Sequence, residues 1–341
     1  MRTPARTRYA VLGVLGLAAV AALVVAAFAV GRYPITPGEV FAVLWSQLGG
    51  GGHGLAPTLE AVVLNVRGPR ILVALMVGAA LASAGAAYQN LFRNPLVSPD
   101  ILGVSAGAAL GAVLGIFLSL DAWMIQALAF AGGLGAVSFA YAVAASLRSH
   151  DQVLVLVLAG VVLGSLLGAC IALIKYLADP YNQLPAITYW LLGSLAAADG
   201  DDLAVIWLPM LGGVVLLWLL RWRITVLSLG DEEATALGVR ARHLRALVIA
   251  AATLMTASAV SVSGIVGWVG LIVPHVARLL VGAEFSRLLP ASLLLGGGFL
   301  LAVDTLARTV APVEIPLGVL TAFVGTPLFL WLLATARRSW N

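Results

Sequence analysis

The chain of 341 residues is 62% hydrophobic and only 10% charged, with a mean hydropathy of +1.06. No water-soluble domain can hide that much apolar surface, so the composition excludes a soluble protein and specifies a polytopic membrane protein. The net charge of +4 would suggest nucleic acid in a soluble chain, but here the basic residues sort by membrane side, which argues against a nucleic-acid partner.

Met1 to Arg8 carries Arg2, Arg6 and Arg8 and leads into an uncharged run from Tyr9 to Val30. A signal peptide has this order of basic and apolar residues, but its apolar core is only about 7–15 residues long. The run is therefore read as a first span with its N-terminus in the cytoplasm. Pro34, Pro37 and the glycines from Gly49 to Gly52 follow, with a short amphipathic helix expected near Glu39–Gln47 on the outer surface. Further uncharged runs occupy 71–92, 101–120, 122–147, 152–174, 203–220, 246–277, 288–303 and 315–336. Each reaches or approaches the roughly 20 residues that cross the hydrocarbon layer.

The 246–277 run is too long for one crossing. Arg240, Arg242 and Arg245 precede it and Arg278 and Arg287 follow, so both ends face inward and the run crosses twice, turning at Ser261–Gly264. That gives ten spans with both termini inside. Of the 19 basic residues, only Arg32, Arg67, Arg70, Lys175 and Arg308 then fall outside. Pro185–Ala198 is apolar but too short to cross, and is expected at or dipping into the outer interface. Asn94–Pro99 is an inner corner broken by two prolines.

No HExxH, nucleophile elbow or P-loop is present, and the four histidines are not paired at metal spacing. Cys170 lies within an apolar run and reads as a small core residue. Ion-driven carriers place carboxylates or histidines deep in their spans. These spans are almost free of them: Asp304 and Arg308, four apart near the outer end of the ninth span, read as an intrahelical pair. Energy must then come from a partner. The handle is Leu229 to Arg242, where Asp231, Glu232 and Glu233 sit just before Arg240, Arg242 and Arg245. This window is too polar to cross and patterned for two short helical turns. It is read as a cytoplasmic coupling segment that pushes on a soluble ATPase.

Small residues crowd the spans and serve either close helix packing or the wall of a passage. Arg67-Gly68-Pro69-Arg70 puts two arginines on the outer face, with Arg308 as a third. Interfacial anchoring and reception of carboxylates from a soluble partner fit them equally.

Several stretches together resemble the permease subunits of type II ABC importers, the FecCD-like family that takes up ferric siderophores, haem and cobalamin. They are Arg67–Arg70, Gly78–Gly85, Asn94–Pro99 with Leu102–Ser105, Tyr189–Ser194, Leu229–Gly238, Gly264–Arg278, and Ile315–Gly318 with Gly325–Pro327. They run in family order from residue 67 to the end. The resemblance implies an all-α, ten-span subunit with short interfacial helices, forming a single permease domain over 1–341. It also implies a second copy of the chain with the passage on the two-fold axis, two cytoplasmic ATPases that carry ATP and Mg, and a periplasmic binding protein. The bacterial inner membrane is the expected location. By the same resemblance, Arg67, Arg70 and Arg308 dock the binding protein, and Asn94 and Leu96 form a cytoplasmic gate, joined by Val153 and Val155 on the fifth span. Gly230, Asp231, Glu232, Ala234, Leu237 and Gly238 couple to the ATPase. No cofactor, metal or catalytic residue is expected on this chain. The expected cargo is an iron chelate, haem or a ferric siderophore, with cobalamin as the alternative and an ion-gradient carrier as the alternative from another class. Lys175 either attracts an anionic cargo or is a solvated interfacial lysine.

Overall fold

A computed structural model describes residues 3–31, 33–49, 54–147 and 152–336. Arg2, Arg32, Arg148, Arg337 and Arg338 of the charge count, His53, His150 and the glycines Gly50 to Gly52 lie outside the described residues. Among those described, every regular element is helical. In chain order they are α1 (Thr3–Ala29), α2 (Pro37–Gln47), α3 (Pro57–Ala61), α4 (Gly68–Leu91), α5 (Val104–Phe117), α6 (Ala122–Ser146), α7 (Gln152–Leu177) and α8 (Gln183–Leu192). Then come α9 (Gly200–Leu227), α10 (Asp231–Ala236), α11 (Ala241–Ser263), α12 (Val269–Val281), α13 (Phe285–Ala307) and α14 (Leu317–Ala336). A π-helical turn, Val62–Arg67, joins α3 to α4, and a 3-10 turn, Pro99–Leu102, leads into α5.

Seven of these segments are long and apolar enough to cross a membrane, among them Pro57–Leu91, which takes in α3, the π turn and α4. Three shorter apolar helices, Val104–Phe117, Val269–Val281 and Leu317–Leu332, complete the ten expected spans. The long run divides where charge placed the cut. Helix α11 ends at Ser263, and Gly264 turns the chain at φ 66°, a left-handed conformation that costs a side-chain-bearing residue and not glycine. Polar side chains start the helices that begin at the surface. Thr36 and Glu39 form a reciprocal cap on α2, Asp199 and Asp202 do the same for α9, and the Asp121 carboxylate accepts from Met124 N at 2.9 Å on α6.

Helix α4 is the centre of the bundle, buried along most of its length by α13, α11, α12 and α9. Its small residues explain how the neighbours come so near. A Cβ on Gly85 would lie 1.8 Å from the carbonyl oxygen of Gly270 on α12, and one on Gly78 would lie 2.2 Å from that of Gly296 on α13. These glycines are packing seams, in keeping with the absence of a hydrophobic drive between helices inside lipid. Gly135, Gly164 and Gly168 meet nothing within 4 Å, so the small residues divide into two populations. Helix α7 is the converse of α4. It packs on α5, α6 and the 3-10 turn and leaves most of its surface uncovered.

Helix α8 is tied to the bundle by hydrogen bonds. Ser194 N donates to Ser263 O at 2.9 Å, Leu317 N donates to Gly193 O at 2.9 Å, and Gln183 Nε2 donates to Phe117 O at 2.8 Å. The end of α8, the α11–α12 turn and the start of α14 thus meet at one point, which the short apolar stretch gave no means of predicting.

Candidate functional site

The bundle has two ends, and contacts between side chains and backbone tell which elements share each. Arg67 and Arg308 reach the carbonyls that close α1, so the C-termini of α1 and α13 share one end with the start of α4. At the other end Phe285 N, opening α13, donates to Thr225 Oγ1 in the last turn of α9, directly before the coupling segment.

At that other end, α10 is a single six-residue helix held between two bends. Gly230 before it has φ 144° and Gly238 after it has φ 78°. The second expected turn is absent as a separate element, because Val239 and Arg240 lead straight into α11. Ala234 is fully buried and seats α10 on the bundle, while Asp231 forms an ion pair with Arg245 on α11. Glu232 is exposed, and Leu237 is 55% exposed, an apolar side chain held outward at the very end of the helix. Helix α10 thus presents an outward apolar tip with a rim of carboxylates.

Beside it lies the proline-broken corner. The Asn94 carboxamide oxygen accepts from Leu96 N at 2.9 Å, closing a tight turn that leaves Leu96 48% exposed. Arg93 enters that turn at φ 50°. Val153 and Val155 on α7 are half-buried, Val153 against a small pocket with Phe92, Tyr141 and Arg245, whereas Leu154 between them is 53% exposed. The face of α7 that looks outward at this level is therefore carried by Leu154 and not by the two valines.

At the opposite end the structure brings Arg67, Arg70 and Arg308 together, but turns them inward. Arg67 and Arg70 are buried. The π-helical turn that ends at Arg67 aims its guanidinium at the α1 end, where it donates to Phe28 O and Tyr33 O. Arg70 Nε and Nη2 both donate to the Asp304 carboxylate at 2.8–3.2 Å, while Nη1 and Nη2 grip Glu314 at 3.0 and 2.9 Å. Arg308 donates to Ala27 O, and its Nε approaches Asp304 at 3.8 Å without a hydrogen-bond partner. The intrahelical approach expected from the four-residue spacing is present, but Arg70 is the principal partner of Asp304. No sequence pattern marks Glu314, which lies in the irregular link before α14. Three arginines face two carboxylates, so these five residues keep a net positive charge. Lys175 sits half-buried in the last turn of α7, where its charge complements the helix dipole.

Known proteins share this sequence and fold. The family model described as the FecCD transport family matches residues 18–335. The molybdate import system permease MolB of Haemophilus influenzae is 40% identical over 302 residues, covering 88% of each chain. A Helicobacter pylori protein named as an iron chelatin transport system permease is 43% identical over 281 residues, 82% of this chain and 84% of its own. A solved metal-chelate type ABC transporter in an inward-facing conformation superposes with a TM-score of 0.85 at 36% identity, covering 95% of this chain and 99% of the other. The chain belongs to the FecCD transport family and has the fold of a type II ABC importer permease.

Proposed function

We propose that this chain is the membrane subunit of an ATP-driven importer that carries an iron chelate, haem or a ferric siderophore, from periplasm to cytoplasm by alternating access. Two copies enclose the passage, two ATPases with ATP and Mg dock beneath, and a binding protein delivers cargo above. The single observation that carries this reading is α10: a polar helix seated between two apolar spans by Ala234 and by the Asp231–Arg245 pair, with Leu237 projecting. The naming of one relative for iron chelatin supports the cargo class, and the naming of another for molybdate widens it to metal-bearing anions.

A carrier driven by an ion gradient needs a carboxylate that exchanges its ion during the cycle. The carboxylate buried in α13, Asp304, is instead clamped by Arg70, which favours an outside source of energy. On the opposite side, Arg67, Arg70 and Arg308 serve docking through the excess positive field they hold behind Glu314. Acidic residues of a binding protein meet that field and compete with Glu314 for Arg70. Asn94, Leu96 and the start of α7 form the inner gate. Uptake of a labelled ferric siderophore or haem into proteoliposomes tests the whole reading. It should require the ATPase and ATP and persist with ion gradients collapsed; uptake on a proton or sodium gradient without the ATPase would overturn it.

A further inference from the structure

Helix α1 does not close fully on its neighbours. It touches α13 near its middle, where a Cβ on Gly16 would meet the Leu294 side chain at 2.5 Å, yet towards the coupling end it stands off. The gap is a groove of about 910 Å³ between α1, α4, α13 and the end of α12. Its depth is apolar, formed by Val20, Leu75, Met76 and Leu294. Its mouth is polar, with Tyr9, Ser286 and Arg287 all at the end where α1 and α13 begin. The Arg287 guanidinium lies 4.5 Å over the Tyr9 ring, and Glu284 takes its Nε at 3.0 Å. Arg8, next to Tyr9 in the chain and exposed, adds a second cation at this mouth.

Polar and cationic at the membrane surface, apolar towards the bilayer middle, the groove repeats the polarity of a single phospholipid. We propose that it is a binding site for one anionic phospholipid per chain, with the phosphate at Arg287 and Tyr9 and an acyl chain along the α1–α13 seam. A soluble anion would have no use for the apolar depth, and a neutral lipid none for the basic mouth. Helix α1 packs on α13, α2 and α4 whereas α7 packs on α5 and α6, so the lipid sits away from the uncovered α7 face. It would steady α1, whose own contacts are few, against the core.

The test uses the purified full chain in detergent. After delipidation, dioleoyl-phosphatidylglycerol is added back and retained lipid is counted by native mass spectrometry. Ala291→Trp and Leu15→Trp each fill the groove from one wall, and Leu219→Trp, on an exposed face of α9, is the control. Retention of one phosphatidylglycerol in the wild type and the control, at least fivefold lower in both filled variants and in Arg287→Ala, is the expected result. Retention unchanged by filling, equal retention of phosphatidylcholine, or displacement by millimolar inorganic phosphate would each overturn the proposal. An empty wild-type groove, as if another copy of the chain covered it, would overturn it as well. Size-exclusion profiles matching the wild type establish that the variants are folded, and the two fillings on different helices guard against the failure of one.

Discussion

Arg70 on α4 and Asp304 on α13, 234 positions apart, join through three hydrogen bonds of 2.8 to 3.2 Å at the end of the bundle opposite α10. The carboxylate is fully buried and the guanidinium nearly so, and Glu314 completes the clamp. The pair ties the helix at the centre of the bundle to the neighbour it packs against most closely.

Removing one partner of such a pair leaves a buried charge without compensation, which costs about 3–5 kcal/mol. Asp304→Ala should therefore lower the thermal unfolding midpoint of the detergent-purified chain sharply or abolish its yield. Glu314→Gln should do much less, since Glu314 is partly solvated and leaves Asp304 in place. Fluorescence-detected thermal size exclusion would rank the two.

The α4 seams predict a contrast between glycines of identical type. Gly85→Ala puts a methyl where the Gly270 carbonyl stands, so α12 must move outward, an overpacking cost of about 1–3 kcal/mol or more. Gly164→Ala and Gly135→Ala meet open space and should leave the unfolding midpoint within about a degree of the wild type, following the small effect of changes away from packed sites.

Docking and coupling should separate by end. Arg308→Gln, which leaves the Arg70–Asp304 clamp in place, should weaken binding-protein affinity severalfold with basal ATPase activity of the assembled complex nearly unchanged. Glu314→Gln should strengthen docking, because it releases one side of the Arg70 clamp. Surface plasmon resonance against the binding protein measures both, and unaltered affinity in all of them would remove the docking role.

At the other end, Asp231→Arg sets two cations against each other and should unseat α10, lowering transport-coupled ATP hydrolysis severalfold. The exchange Asp231→Arg with Arg245→Asp should restore much of it, since the ion pair is rebuilt in reverse. Failure of the exchange to rescue would mean that Asp231 acts on the partner directly and not by positioning α10.

Much of the fold was legible because a bilayer imposes a length and a sign on the sequence. Uncharged runs near 20 residues marked the spans, and arginines on both flanks showed that 246–277 must turn, as it does at Gly264. Side chains were less legible where the contact is long-range. No spacing links Arg70 to Asp304 or Glu314, whereas the four-residue step from Asp304 to Arg308 invites a local pair that proves secondary. The glycines told the same story. Gly85 and Gly164 look alike in sequence, and only the neighbour opposite each decides which one is a seam. Along α7, sequence does not tell which of Val153, Leu154 and Val155 turns away from the bundle; the helix rotation leaves Leu154 the most exposed of the three.

The central claim is that force enters through α10 from the cytoplasm. Leu237→Cys in a Cys170→Ser background places one reactive thiol on the tip of that helix. A membrane-impermeant maleimide should label it in inverted vesicles, fail to label it in intact cells, and be blocked when the ATPase is bound. Labelling from outside intact cells, or labelling indifferent to the ATPase, would contradict the account.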